Sequence, residues 1–489
     1  MACLIAAPCS GSGKTLLSLS LTALARQRGE TIQPFKVGPD YLDAQLLGAV
    51  AGRPCRNLDP ILCGDAWLEA SFRWHGGRAE RVLVEGVMGL FDGRGASAEG
   101  SSAAVAAQLE LPVVLVVEAS RQAGSLAALV RGFRDHGPPR VTLAGVVLNR
   151  VSSDRHRALL AEALASINVP LLGVLPSHPA LALPARHLGL LPPHELEDLE
   201  ARQAIWAELA ERHLHLEHLW PLLLPPPPPV GQDPVQALLG QALPQAAGAG
   251  PRGDANEARQ PAVVAVAHDG AFHFRYPETG ELLRAAGLEP VAWSPLADQP
   301  LPAATRAVVL PGGYPELHGE HLAGCHRSLG SLAAGARQGL PLVAECGGLL
   351  LLGHSLVDSK GQEWPMARLL PFRARPGTLS LGYREAVPLA DGLLVRSGER
   401  YAGHEFHRWQ IEALSQEEEG SRSRAEAEPL WQLSGWGSDG RREGWGAPCL
   451  HASWLHLHWA GFPQLVRRLA TAAFSWQTHV DGEAKAERG

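Results

Sequence analysis

Short apolar runs punctuate the first part of this chain: "CLIAA", "TIQPFKV", "RVLVEGV", "PVVLVVEA", "VTLAGVVLN" and "VPLLGVLP", separated by helical stretches such as "TLLSLSLTALARQRG". Runs rich in Val, Ile and Leu without polar alternation describe strands buried on both faces. A chain that alternates such strands with helices has few ways to cover them, and the α/β fold expected is a parallel sheet with helices on both sides. A second α/β pattern begins at "PAVVAVAHD" and continues through "RAVVLPGGYPEL", "GLPLVAECGGLLLLG" and "LHASWLHLHWAG".

Between the two patterns lies "PLLLPPPPPVGQDP", with prolines at every position from Pro225 to Pro229, followed by the Ala/Gly/Gln-rich "QAAGAGPRGDANEARQ". Consecutive prolines favour a stiff extended segment and the remainder a flexible one, so residues 221–260 read as a linker. The expected division is therefore 1–220, linker 221–260, 261–475, and a polar tail 476–489. At 489 residues the length suits several domains.

Lys and Arg total 43 against 50 Asp and Glu, a formal charge of −7 that gives no electrostatic footprint for nucleic acid. Small-molecule chemistry is the expectation. The seven cysteines show neither CxxC pairs nor zinc-type spacing and read as reduced thiols. The first apolar residues run straight into a Gly-rich loop with no basic stretch before them, and no apolar run reaches the ~18 residues of a membrane span. A cytoplasmic protein without membrane contact is expected.

"CLIAAPCSGSGKTLLSLSLTAL" reads as strand, Gly-rich loop and helix. The Walker A pattern asks for Gly where Pro8 stands, but the rest is physically apt. Gly11, Ser12 and Gly13 let backbone amides turn toward phosphates. Lys14 would neutralise β/γ oxygens, and the Thr15 hydroxyl would hold Mg²⁺ at the helix start. "FKVGPDYLDAQ" brings Lys36, Asp40 and Asp43 to the end of the second strand, and "VLVEGVMGLFDG" brings Glu85 and Asp92 to the end of another. In an open parallel sheet those ends flank the ligand crevice. Mg²⁺ takes one or two protein carboxylates, so the other acids would orient substrate. Thr15, Asp40 and Glu85 are the metal candidates.

In "AECGGLLLL" a thiol sits on a corner between strand and helix, as in the nucleophile elbow of α/β hydrolases with Cys346 in place of Ser. Gly312 and Gly313 in "VVLPGGYPEL", with Gly347 directly after the thiol, could offer backbone N–H groups to an oxyanion. Candidate bases are His404, His407, His451, His456 and His458. Spacing does not choose among them.

Together these motifs resemble one family, cobyrinate a,c-diamide synthase, the glutamine-dependent corrin amidase of cobalamin biosynthesis. "SGSGKT", "FKVGPDYLD", "RNLD", "EGVMGLFDG", "GVVLNRV" and "LPARHLGLLPPHE" are similar to its synthetase half. "GGYPELH", "AECGGLLLL", "GHEFH" and "ASWLHLHWA" are similar to its amidotransferase half. The resemblance implies a P-loop parallel-sheet synthetase domain followed by a class I-type glutamine amidotransferase α/β domain, with ATP and Mg²⁺ as cofactors and cobyrinate and L-glutamine as substrates. It implies that Asp40, Asp43, Glu85 and Asp92 surround metal, phosphates and the corrin carboxylate, that Cys346 is the glutaminase nucleophile, and that His456 is its base. Many class I amidotransferases carry Glu two residues after that base. Here the position is His458, so a Cys–His pair is expected instead of a triad.

The implied chemistry is ATP-dependent amidation of the a and c carboxylates through an acyl phosphate, with ammonia released from glutamine at Cys346. The rivals are cobyric acid synthase, a relative acting on a metal-bearing sirohydrochlorin, and a P-loop switch ATPase joined to a degenerate amidotransferase-like scaffold.

Overall fold

Strands with no polar face need cover on both sides, and the first half of the chain supplies it with helices. The computed structural model describes residues 2–177, 183–186, 189–240, 261–414 and 428–486, in two units, Met1–Pro234 and Val235–Gly489. In the first unit β1 (Cys3–Ala6), β2 (Ile32–Val37), β3 (Arg56–Leu58), β4 (Arg81–Glu85), β5 (Val113–Glu118), β6 (Leu143–Val151) and β7 (Leu171–Pro176) form one sheet ordered β3-β2-β4-β1-β5-β6-β7. Every pairing in it is parallel. β1 and β2 are buried along their whole length, as the unbroken apolar pattern requires.

One apolar layer joins Leu17, Leu21, Leu47, Trp206 and Leu209 on one side of the sheet, and another joins Phe35, Leu68, Phe72, Val105 and Leu160 on the other. α1 (Lys14–Gln27) carries Ser18, Ser20 and Thr22 into its layer, and each hydroxyl donates to the carbonyl four residues earlier, which removes the cost of burying it. "RNLD", whose polar composition gives no strand signal, forms β3 and two anchors. Asn57 Nδ2 donates to Gly38 O and Asp40 O, fixing the loop after β2, while Asp59 caps the helix Pro60–Gly76 by accepting from Ile61 N and Leu62 N. A short antiparallel pair, β8 (Ala185–Arg186) and β9 (Gly189–Leu190), follows the sheet.

Of the stretch read as linker, residues 241–260 lie outside the described residues. Before them come a 3-10 turn at Trp220–Leu223, the proline run and a helix at Pro234–Gly240. A side chain at Gly76 would stand 3.1 Å from Pro226, and one at Gly77 2.7 Å from Pro229, so the prolines lie against the C-terminal end of the helix Pro60–Gly76.

The second unit holds two sheets. In the first, β10 (Ala262–Ala267), β11 (Leu288–Trp293), β12 (Thr305–Leu310), β13 (Leu342–Glu345) and β21 (Leu450–Ser453) pair in parallel in the order β11-β10-β12-β13-β21, and β20 (Trp445–Ala447) adds an antiparallel edge. The second sheet runs β15 (Glu363–Pro365), β14 (Ser355–Val357), β16 (Phe372–Pro388), β18 (Trp431–Gly435) and β19 (Ser438–Glu443), with β17 (Tyr401–Ala413) as the antiparallel mate of β16. The helix Gln464–Ala486 runs through most of the stretch read as a tail, of which 487–489 lie outside the described residues. Among the described residues no helix is long and apolar enough to cross a membrane.

Candidate functional site

In the first unit the loop between β1 and α1 is shaped by Gly13, whose φ of 112° few side chains adopt and whose missing Cβ leaves room for the Asn149 amide. Asn149 Nδ2 donates to Ser12 O at 2.9 Å and so ties the loop to the end of β6, while the Ser12 hydroxyl turns inward to Cys9 O at 2.9 Å. The sequence left Asn149 without a role, although "VVLNRV" places an amide at a strand end on the loop side of the sheet.

A cavity of about 870 Å³ opens here, lined among others by Gly11, Lys14, Thr15, Lys36, Asp40 and Asp43. Thr15 Oγ1 donates to Glu85 Oε1 at 2.7 Å. Lys14 Nζ donates to Met88 O at 2.5 Å, and Met88 has a left-handed φ of 44°. Burial, with Lys36 nearby, holds the Lys14 ammonium below its ordinary pKa.

Lys36 is buried with all its donors engaged, to Asp43 Oδ2 at 2.6 Å, Glu85 Oε1 at 2.9 Å and Gly86 O at 3.1 Å. Burial alone would lower its pKa, but Asp43, Glu85 and Asp40 outweigh that and raise it. This geometry makes it the counter-charge of the acid cluster more than a direct phosphate ligand. Asp40 Oδ1 accepts from Asp43 N at 3.0 Å, and burial together with the Asp43 charge pushes the Asp40 carboxyl up to about 7. Asp92 does not line the cavity. Its Oδ2 accepts from Gly89 N at 2.8 Å and shapes the loop that carries Met88.

The residues fit a hard cation. Thr15, Glu85 and Asp40 offer oxygen only, and Glu85 Oε2 is buried without a hydrogen-bond partner among the described residues. Among those residues no three His, Cys, Asp or Glu side chains are grouped to hold a metal by themselves.

In the second unit Cys346 follows β13 with φ 47° and ψ −109°, a strained corner that starts the helix Gly347–Leu352. The glycines after it are required by close approach. A Cβ at Gly347 would stand 2.8 Å from Gly313 N, and one at Gly348 would collide with Leu310 O. The thiol is buried, lies 3.9 Å from Phe406 O, and is approached by the Gly347 N–H. Burial first, then Glu316, raises its pKa.

His456 is the histidine that the structure brings to the Gly312–Gly313 loop, since a Cβ at Gly312 would stand 2.5 Å from its Cε1 and 3.4 Å from its Nε2. Its backbone pairs with that of His404, through N–H···O bonds of 2.9 and 3.0 Å. Burial lowers its pKa to about 3, so the resting ring is neutral, and a proton taken up there has to be offset by a nearby negative charge. The other candidates have different surroundings. His458 is fully buried, 3.8 Å from Glu278 and with its ring 4.3 Å from that of Tyr276. His407 stacks on Trp454 at 4.0 Å and lies 3.6 Å from Glu405, a buried acid held by Arg384 and Arg441. His451 is buried with its ring 5.5 Å from Trp431.

Two family models match the chain: a CobQ/CobB/MinD/ParA nucleotide binding domain over residues 3–191 and a CobB/CobQ-like glutamine amidotransferase domain over residues 263–464. A cobyrinate a,c-diamide synthase of Synechococcus sp. is 38% identical over 96% of this chain and 98% of its own length. One from Gloeobacter violaceus is 40% identical over 97% and 98%. A hydrogenobyrinate a,c-diamide synthase of Streptomyces coelicolor is 41% identical over 95% and 96%. A solved glutamine amidotransferase covers 44% of this chain and 99% of its own, at 16% identity and a TM-score of 0.30.

Proposed function

The chain belongs to the cobyrinate and hydrogenobyrinate a,c-diamide synthase family, and from that premise we propose that it amidates the a and c carboxylates of cobyrinate, using ATP and ammonia taken from glutamine. The observation that carries this reading is the presence in one chain of a P-loop cavity lined by Asp40 and Asp43 and of a cysteine on a strained elbow whose following glycine packs on the Gly312–Gly313 loop that His456 also meets.

In the first unit the substrate carboxylate attacks the γ-phosphorus of ATP, and an acyl phosphate forms as ADP leaves. The loop amides around Gly11 and Gly13 hold the phosphates, and Lys14 exchanges Met88 O for a phosphate oxygen. Thr15, Glu85 and Asp40 would hold Mg²⁺, which supplies positive charge to the β and γ oxygens. Lys36 holds Glu85 and Asp43 in place. Asp43 and Asp92 act on the substrate side, Asp92 through the loop it shapes.

In the second unit Cys346 Sγ attacks the glutamine carboxamide carbon while its proton passes to His456. The oxyanion is received by N–H groups of the Gly312–Gly313 loop and Gly347. His456 returns the proton to the departing nitrogen, the C–N bond breaks, and ammonia leaves a γ-glutamyl thioester that water hydrolyses. The ammonia displaces phosphate from the acyl phosphate and gives the amide.

The test is to incubate the protein with ATP, Mg²⁺, glutamine and cobyrinate and to count amide additions by mass. Two additions support the reading. Four would indicate a cobyric acid synthase, and none would overturn it for this substrate. A parallel reaction with hydrogenobyrinate, the substrate named for the Streptomyces relative, decides between the two corrins.

A further inference from the structure

His456 has a second edge. Its Nε2 and Cε1 side faces Gly312 of the loop assigned to the oxyanion, while Nδ1 lies 4.0 Å from Oε2 of Glu345, the residue directly before the thiol. Glu345 ends β13, where its register mate on β21 is Ser453, and β21 leads directly into His456. Its Oε1 accepts from Trp459 Nε1 at 3.4 Å, and the Leu457 backbone N–H also points to the carboxylate. The carboxylate is thus held by two residues that follow His456, with its other oxygen toward the ring.

We propose that Glu345 is the positioning carboxylate of the glutaminase, accepting the His456 Nδ1 proton so that Nε2 is left free to take the proton of Cys346. The inference rests on the assignment of Cys346 and His456 made above. It supplies from the strand before the nucleophile what many class I amidotransferases place two residues after the base, a position taken here by His458, whose Nε2 lies 3.8 Å from Glu278.

The chemistry needs such a group. In the resting site both partners are neutral, and moving the proton from Sγ to Nε2 creates an imidazolium in a buried place. A carboxylate at Nδ1 offsets that charge and fixes the tautomer, as the acid of a Ser–His–Asp triad does. The other ionisable groups facing His456 come from β17: His404 and His407, which disfavour its protonation, and Glu405, which favours it but is already held by Arg384 and Arg441. Cys346 is faced by Glu316, Glu345 and Glu405. The 4.0 Å separation exceeds a hydrogen bond, and catalytic hydrogen bonds of this kind commonly tighten only once substrate is bound. Burial raises the Glu345 carboxyl to about 8, so its ionised, working form gains population as pH rises.

Glu345→Gln is the probe, because the amide oxygen still accepts from Trp459 and Leu457 while losing the charge. Glutaminase kcat is expected to fall about 10²-fold or more, with KM for glutamine within a few fold. The rise of the wild-type rate with pH through about 8 should disappear. The same substitution is then made in His456→Ala. A residue that acts through His456 has no further effect there, whereas a structural residue lowers the residual rate by the same factor in both backgrounds. An undiminished kcat, an unchanged pH profile, or equal losses in both backgrounds overturns the proposal. Full activity of His456→Ala by itself would instead overturn the underlying assignment.

Discussion

Thr15 Oγ1 and Glu85 Oε1 are 2.7 Å apart, so the P-loop hydroxyl and the carboxylate at the end of β4 are joined before any ligand arrives. The second oxygen of Glu85 has no partner among the described residues. A cation entering between phosphate and loop therefore meets two oxygens already oriented. Glu85→Gln is expected to raise the Mg²⁺ concentration needed for half-maximal ammonia-dependent synthesis, measured from initial rates at fixed ATP. A Mg²⁺ dependence equal to that of the unaltered protein would remove Glu85 from the metal site.

Lys36 has a structural burden that its place in "FKVGPD" does not reveal. Its ammonium faces Asp43 and Glu85 in a buried cluster, and removing one partner of such a cluster leaves uncompensated charge. Lys36→Met should destabilise the first unit by about 3–5 kcal/mol. Urea unfolding followed by far-UV circular dichroism checks this. A loss below about 1 kcal/mol, the scale of an exposed pair, would show that Lys36 is not the buried counter-charge of the cluster.

The parallel strands were legible because burial on both faces leaves a composition that nothing else in a chain of this kind imitates, and the runs from "CLIAA" to "VPLLGVLP" became β1, β2 and β4 to β7. β3 was not, since Asn57 is there for the hydrogen bonds it makes and neither it nor Arg56 carries a strand signature. The sheet built on β16 and β17 was hidden for a related reason. "FRARPGTLSLGYREAVP" has buried positions only near its two ends and is interrupted by Pro376 and a register shift, so no apolar run marks it. At the candidate sites, Cys346 and the P-loop stand out by local spacing. The contacts of Asn149 with Ser12 and of Glu345 with His456 depend on pairings between residues more than a hundred positions apart, and no local pattern encodes them.

Cys346→Ser should abolish glutamine-dependent synthesis and leave ammonia-dependent synthesis largely intact, because the thiol and the P-loop cavity are built by different sheets. Both nitrogen sources are compared at saturating ATP. An equal loss with ammonia, in protein whose unfolding transition is unchanged, would contradict separate sites.

Asp40 gives a pH signature. Its carboxyl is raised from the ordinary 3.8 to about 7, so the ionised form that can meet a cation accumulates as pH rises through that value. The apparent Mg²⁺ requirement should therefore fall between pH 6 and 8, and Asp40→Asn should lose this dependence. The linkage to stability has the opposite sense. The folded state binds this proton more tightly than the unfolded chain, so the Asp40 contribution declines as pH rises from 3.8 toward 7, and above that range Asp40→Asn should raise Tm in the absence of ATP. Thermal scans at pH 5.5 and 8 of both proteins test it, and a lower Tm for the variant at pH 8 would contradict it.

His456 and His458 are two residues apart and both are buried, yet they are expected to fail in different ways. His456 meets the Gly312 loop on one edge and Glu345 on the other. Its replacement by Ala removes the proton acceptor, and loss of a general base costs about 10²- to 10⁴-fold. Glutaminase activity should fall on that scale while KM for glutamine changes little. His458 instead fills a space against Tyr276 and Glu278. Its truncation leaves a cavity and a buried carboxylate without its neighbour, which should cost about 2–4 kcal/mol of stability, whereas the fraction that remains folded keeps most of its glutaminase rate. Rates are measured at a temperature where both variants are folded, and stability by denaturant titration. If His458→Ala stops glutamine hydrolysis without loosening the fold, and His456→Ala does the reverse, the base has been placed one side-chain alternation away from its true position.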